Sequence, residues 1–276
     1  MDGVRSVVPF KGKLNSTGSL ILLLKTIQFK NMTTCHIYEA GITFTVEESR
    51  SMKAVIFLKK PMFEYFIRQD IDIPQFSIGL PNLIDCLHLI SPLAQTGSVP
   101  LDSSCEIRYE EGQLELANPD RERGRLVRAK LNTLESEDED LGLNLTQEGQ
   151  SQKMVMKSEW FITALNDLDD TCQTITFTFS PMDPSFKMSA VGEDNIVEMD
   201  YPENSEPFIS FVCDREVTNS YSYSNIMLCK KALDHSSEVS FEVSPNGVLC
   251  LLFQIEEKNE LLHVSFTIMP SETITI

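Results

Sequence analysis

Glu135-Ser136-Glu137-Asp138-Glu139-Asp140 places five acids in six residues, and Leu141-Gly142-Leu143-Asn144-Leu145 follows directly. The stretch 131–151 around it has neither a helical nor a strand period, and its like charges repel one another. It reads as an exposed, extended connector. On either side lie segments that share one plan: an amphipathic helix, several short alternating strands, a second helix and more strands. The reading divides the chain into a first domain, 1–131, an acidic connector, 132–151, and a second domain, 152–276.

Length agrees with that division. A chain of 276 residues exceeds the usual size of one core, and two domains of ordinary size each bury enough apolar surface to fold. A hydrophobic fraction of 42% with 12 Gly and 13 Pro indicates a globular protein. The longest apolar runs, Leu20 to Leu24 and Val248 to Phe253, fall far short of the roughly 20 residues that span a bilayer. No basic-then-apolar signal stands at the N-terminus, so the expected compartment is the cytosol or nucleus, and the Asn-x-Ser/Thr triplets at Asn15, Asn31 and Asn144 carry no weight. Seven cysteines (35, 86, 105, 172, 213, 229, 250) are scattered singly, an odd count without CxxC, which points to reduced, buried thiols. The four histidines, 36, 88, 235 and 263, lack ligand spacing, so neither a metal nor a cofactor is expected.

The formal charge of −18 is unevenly placed. Residues 1–131 hold 16 Lys/Arg against 15 Asp/Glu, a net of +1; residues 132–276 hold 7 against 26, a net of −19. Acidity by itself promotes solubility and opposes nucleic-acid binding. The asymmetry adds something else: one half attracts what the other repels.

Along the first half, a strand around Val4 to Phe10 is followed by Ser16-Thr17-Gly18-Ser19, which offers N-cap chemistry. Leu20, Leu23, Leu24 and Ile27 then mark one helical face. Cys35 to Glu39 and Ile42 to Glu48 alternate around Ala40-Gly41 as a hairpin, and further strands are predicted over Met52–Leu58, Met62–Arg68 and Gln75–Ile78. Leu80-Pro81-Asn82 opens a second helix with Pro in its first turn, with Leu80, Leu83, Ile84 and Leu87 as its buried stripe. Strands over Cys105–Glu110, Gln113–Ala117 and Arg125–Leu131 close the half. In the second half the order recurs: a strand over Gln152–Lys157, a helix capped by Ser158, strands over Gln173–Ser180, Phe186–Val191, Asn195–Asp200 and Phe208–Cys213, a short helix over Met227–Leu233, and strands over Val239–Val243, Val248–Ile255 and Leu261–Ile268. The fold class is α+β, with helices on one face of a mainly antiparallel sheet.

Catalytic signatures are sparse. Neither GxxxxGK[ST], GxGxxG nor GxSxG occurs, so nucleotide hydrolysis and acyl transfer are poor readings. A two-metal nuclease needs clustered carboxylates. Asp70-x-Asp72 reads as a turn before Pro74, Asp167-x-Asp169-Asp170 as a solvated helix exit, and the connector offers no rigid site. Trp160 and the many Phe read as core. Lys230-Lys231 reads as a solvated face. Arg121, Arg123, Arg125, Arg128 and Lys130 bracket a strand on which Val127, Ala129 and Leu131 point one way and the bases the other. That is either a charged edge that blocks aggregation or an edge that pairs with an acidic partner.

Together these features resemble a known family. The order of elements is similar to that of the sliding clamps. The segments Asp167–Ser189, Met199-Asp200-Tyr201-Pro202, Phe211–Asn219, Pro245-Asn246-Gly247-Val248-Leu249 and Leu80–Leu89 resemble the Rad-one subunit family of the heterotrimeric DNA-damage checkpoint clamp. The likeness runs from about Leu14 to Pro270 and lies in number and order of segments, with no catalytic signature. It implies two tandem clamp domains forming one third of a pseudo-six-fold ring, with helices lining the hole and sheets outside. It implies head-to-tail joining of an edge strand of one first domain to an edge strand of the next second domain. By position those edges are Arg125 to Leu131 (Arg125, Val127, Arg128, Ala129, Lys130) and Phe186 to Val191 (Phe186, Lys187, Met188, Val191). DNA-facing candidates are Lys25, Lys30, Lys230 and Lys231. A partner pocket would take Tyr38, Leu141, Leu143, Ile268, Met269 and Pro270; equally, those residues dock the connector onto its own sheet. The implied function is a non-enzymatic, nuclear subunit of a clamp loaded at DNA damage by an ATP-dependent loader. Its partners are two other clamp-like subunits, double-stranded DNA with junctions, and checkpoint and repair proteins. The alternatives are a 3′-to-5′ exonuclease, an activity ascribed to the family, and a homotrimeric replication clamp.

Overall fold

The structure is a computed structural model that describes residues 8–91, 103–118, 126–136, 152–257 and 260–271. By internal packing the chain divides into two compact units, Met1–Val46 with Ile56–Glu139, and Glu47–Val55 with Asp140–Ile276. Most of the connector, residues 137–151, and most of the predicted Val4–Phe10 strand lie outside the described residues.

In the first half the order is β1 (Phe10–Leu14), α1 (Thr17–Thr26), β2 (Met32–Ile37), β3 (Gly41–Glu48), β4 (Met52–Lys59), β5 (Phe63–Arg68), β6 (Phe76–Gly79), α2 (Leu80–Ile90), β7 (Cys105–Glu110), β8 (Gln113–Ala117), β9 (Arg128–Asn132) and β10 (Leu134–Glu135). The second half runs β11 (Gln152–Lys157), α3 (Ser158–Asn166), β12 (Thr174–Phe179), β13 (Phe186–Val191), β14 (Ile196–Tyr201), β15 (Phe208–Val212), β16 (Val217–Ser222), α4 (Tyr223–Leu228), α5 (Lys230–Leu233), β17 (Glu238–Val243), β18 (Leu249–Glu257) and β19 (Glu260–Ile268).

The predicted α+β class holds, and the echo between halves extends to strand order. One layer of the first unit runs β5-β1-β7-β8-β9, and its counterpart in the second runs β15-β11-β17-β18-β19. The other layers run β6-β2-β3-β4, extended by β10, and β16-β12-β13-β14. The registered pairs are antiparallel, as hairpin connections require.

Local chemistry explains why the helices sit where they do. Ser16 Oγ accepts from the Ser19 N–H at 3.1 Å, the predicted cap. The α1 stripe Leu20, Leu23, Leu24 and Ile27 is buried throughout. Ser158 differs from expectation. It is the first helical residue of α3, Lys157 holds the cap position, and no side chain caps that end. The starts of both helices are also tied down by backbone. Thr17 N–H donates to Ser103 O at 2.8 Å, and Ser158 N–H donates to Ser237 O at 3.0 Å. Ser158 Oγ lies 2.7 Å from Ser236 Oγ. Each bond joins the start of one helix to the segment beyond the next.

Two further boundaries move. The short helix expected over Met227–Leu233 starts at Tyr223 and breaks into α4 and α5 around Cys229, with Ile226, Cys229 and Leu233 forming one buried stripe across the break. Trp160 is only half-buried on α3, and its Nε1 lacks a protein partner among the described residues. Pro245-Asn246-Gly247 forms a turn. Gly247 has φ +81° and donates to Ser244 O, and its carbonyl accepts from buried Tyr221 Oη at 2.8 Å.

Candidate functional site

A strand at the end of a sheet presents unpaired N–H and C=O groups, which proteins either blunt or use. At the sheet ends the register separates the two cases. β5 pairs with β1 through a break at Lys13/Leu14, and β15 pairs with β11 through a break at Val155/Met156. Such bulges twist an edge away from further pairing. β16 is approached from outside by Ser271, whose N–H donates to Ser220 O at 2.7 Å. β9 and β14 are different. β9 follows β8 without interruption from Gln113↔Asn132 to Ala117↔Arg128, and β14 follows β13 from Phe186↔Tyr201 to Val191↔Ile196.

β9 is the predicted basic edge. Arg128 and Lys130 are exposed, and Val127, Ala129 and Leu131 are half-buried. Arg125 lies outside the described residues. Glu115 of β8 approaches both bases, at 3.8 Å from Arg128 Nε and 3.8 Å from Lys130 Nζ. At those separations and exposures each pair contributes little, about 0–1 kcal/mol.

The second predicted edge is corrected. Phe186, Lys187, Met188 and Val191 belong to β13, which pairs on one side with β12 and on the other with β14. Its backbone is engaged on both sides and accepts no further strand. Phe186 and Met188 are core residues, and Lys187 spends its charge on Glu198 of β14 at 2.9 Å. That carboxylate raises the Lys187 pKa first through its hydrogen bond. Of the four, Val191 alone is exposed, at the strand's end. The edge is β14, whose Ile196, Glu198 and Asp200 face solvent and whose Val197, Met199 and Tyr201 are half-buried. Alternation gives a strand and its faces but says nothing about which neighbour lies outermost, so the sequence pointed one strand too far inward.

The lysines occupy different settings. Lys25 is exposed on α1, near enough to His88 of α2 to depress its pKa after burial has done so, with Asp85 opposing. Lys30 is exposed but lies beyond α1, in the turn leading to β2. Lys230 is half-exposed on α5 and donates to Asn166 Oδ1 of α3, and Lys231 is exposed beside it. Sequence reasoning overlooked His88, whose closeness to Lys25 depends on α1 packing against α2.

Among the pocket candidates, Tyr38 is 44% exposed and stacks on His36 with ring centroids 3.8 Å apart. Ile268 is corrected: it is fully buried in β19 and pairs with Leu249, so it serves its own core and is not offered to a partner. Met269 is 37% exposed, with its N–H given to Ser51 O. Pro270 is half-buried, and Leu141 and Leu143 lie outside the described residues.

As for catalysis, Asp70 and Asp72 are exposed between β5 and β6, and Asp167 follows α3. Asp169 accepts from Thr171 N–H at 2.8 Å, a bond that lowers its pKa. Among the described residues no group of three or more His, Cys, Asp or Glu is placed to hold a metal ion.

Comparison with known proteins follows the same direction. The family model described as "Repair protein Rad1/Rec1/Rad17" matches residues 9–255. The chain is 29% identical over 262 residues to "Cell cycle checkpoint protein RAD1" of Homo sapiens, covering 95% of this chain and 91% of that one. It is 28% identical to "DNA damage checkpoint control protein rad1" of Schizosaccharomyces pombe, covering 91% and 83%. A Drosophila melanogaster protein named "DNA repair protein Rad1" is 22% identical over 95% of this chain and 93% of its own.

Proposed function

The chain belongs to the Rad1/Rec1/Rad17 repair-protein family, and from that premise we propose that it is a non-enzymatic subunit of a heterotrimeric, DNA-encircling checkpoint clamp. It works in the nucleus, is placed at DNA damage by an ATP-dependent loader, and recruits checkpoint-kinase signalling and repair factors. Its two folding units act as tandem clamp domains, 1–131 and 152–276, bridged by the acidic segment 132–151.

One observation supports this reading: among the described residues, two strands end their sheets in unbroken register and carry unlike charge, β9 with Arg128 and Lys130 and β14 with Glu198 and Asp200. Unlike ends favour heterologous, head-to-tail contact, which closes into a ring when the rotation allows. Charge at such a rim sets on-rate and partner choice more than affinity. A ring holds DNA by topology and needs only a thin basic lining, for which Lys25, Lys30, Lys230 and Lys231 are the candidates. Since phosphate contacts are salt-dependent, direct DNA contact is weak and lost at high salt while the encircled state persists. The test is capture of the full chain from cells before and after DNA damage. Two stoichiometric clamp-like companions are expected. Capture of the chain without such companions, in either state, overturns the proposal.

A further inference from the structure

The solvent face of the first unit's five-stranded layer holds a charged pocket that the proposed function leaves unused. We propose that this pocket receives an arginine side chain, together with the peptide carbonyl beside it, from an extended segment of a partner protein.

The pocket measures about 220 Å³ and is lined by Arg108, Glu110, Glu111, Gln113, Glu115 and Lys130. Strand register builds it. Arg108 pairs with Glu115 and Glu115 with Lys130, so these three form one row across β7, β8 and β9. Glu110 pairs with Gln113 in the next row, towards the Glu111-Gly112 turn. Their neighbours along the strands, Ile107, Tyr109, Leu114 and Leu116, are buried, so alternation turns the charged set outward. The pocket opens out of the sheet plane and does not depend on what pairs with β9 within that plane.

Two observations define the occupant. First, the lining sets three carboxylates against two cations, a net of −1. Both cations already have acids: Arg108 Nη2 donates to Glu110 Oε2, and Lys130 Nζ lies 3.8 Å from Glu115. Glu111, exposed in the turn, has no ion-pair partner among the described residues. The surplus attracts a cation. An organic cation fits, because no group of three or more His, Cys, Asp or Glu among the described residues is placed to hold a metal ion. Second, Glu110 Oε1 and Arg108 Nε are buried and lack a hydrogen-bond partner among the described residues. Buried atoms of charged groups are costly to leave unpaired, so the occupant brings a donor to one and an acceptor to the other. Gln113 Nε2 donates to Asn132 Oδ1 at 3.0 Å, which leaves the Gln113 carbonyl oxygen as a further acceptor. The planar fork of an arginine reaches several acceptors at once, where a lysine offers one point charge. A peptide carbonyl beside it supplies the acceptor for Arg108 Nε.

The test titrates the purified full chain with the blocked peptide acetyl-Gly-Arg-Gly-amide and follows the backbone amide signals of Glu110, Gln113 and Glu115 by NMR. Saturable shifts that weaken with added salt are expected. The citrulline peptide, equal in shape but uncharged, binds about tenfold more weakly or worse, and so does methylguanidinium, which brings the cation without the carbonyl. The lysine peptide falls between. Glu110→Gln lowers the affinity for the arginine peptide by about tenfold or more, because it removes the charged acceptor. Glu111→Lys, at an exposed turn position, lowers it too by turning the net charge of the lining from −1 to +1. Circular dichroism confirms that both variants fold. Absence of saturable shifts, equal binding of the citrulline or lysine peptide, or an affinity that ignores both substitutions overturns the proposal. Methylguanidinium bound as tightly as the arginine peptide makes the occupant a small cation and overturns it as well.

Discussion

The two units share a strand order and differ in almost everything that fills it. The second is built around packed rings: Phe177 lies 5.7–6.3 Å from Phe161, Phe186, Tyr221 and Phe241, and Phe179 joins through Phe186. The first is mainly aliphatic, with Leu20, Leu24, Ile42, Ile56, Leu58, Leu80, Leu83 and Leu87 buried, and its ring contacts among the described residues are those of Phe10, Phe63 and Phe66, the Phe76–Tyr109 stack and the His36–Tyr38 stack. At matching positions along the equivalent strands β2 and β12, Cys35 faces Phe44 and Phe177 faces Met188. One topology therefore tolerates opposite distributions of bulk, provided total volume and alternation are kept. What the cores leave to chance, the edges do not: one unit ends in Arg and Lys, the other in Glu and Asp.

The largest effect that sharpens this contrast is in the aromatic core. Phe177→Ala should cost about 3–5 kcal/mol, as for other buried rings. Thiols report where the loss falls, because burial raises the pKa of Cys35 and Cys229 far above the ordinary range and Cys105 to about 12. In native protein the half-exposed Cys86 and Cys213 alkylate first. In Phe177→Ala, Cys229 should become reactive at lower denaturant than before while Cys35 and Cys105 stay put. A common shift of all three breaks the picture of two separately stabilised cores.

Next comes the difference between the helix starts. Ser16→Ala removes a true cap and should cost about 1 kcal/mol in chemical denaturation. Ser158→Ala removes only a hydroxyl pair, since Ser236 Oγ still donates to Leu233 O, and should cost about 0.5 kcal/mol. Equal costs would mean that Ser158 caps after all.

The smallest effect is a pH dependence belonging to the first unit. His88 has its pKa lowered in the fold, by burial first and Lys25 second, so the folded state disfavours its proton. Above the ordinary histidine range the residue is neutral in both states and contributes nothing. As pH falls through that range the unfolded chain binds the proton first, and stability declines until the folded pKa is also passed. His88→Gln should flatten that part of the urea-midpoint profile. An unchanged profile would place the acid sensitivity elsewhere.

Several of these features were legible in advance, for local reasons. The Ser16 cap, the α1 and α2 stripes and the strand alternations depend on neighbours a few residues apart, where periodicity and capping chemistry act directly. The split of α4 from α5 was not visible, because Cys229 reads as a continuing apolar position. Nor was the location of Lys30, which the helical period carries past the last hydrogen-bonded turn. The inner position of β13 was hidden as well, because its own sequence alternates like an edge strand's.

Sequence alone determined that there are two similar α+β halves, how charge is split between them, and which family they resemble, since composition, period and motif order survive in one dimension. Tertiary structure alone decided which strand ends each sheet, and so made β14 rather than β13 the acidic edge and turned Ile268 from a surface candidate into core. Strand order is fixed by pairings between residues far apart in the chain, and no single strand's pattern records who its neighbours are.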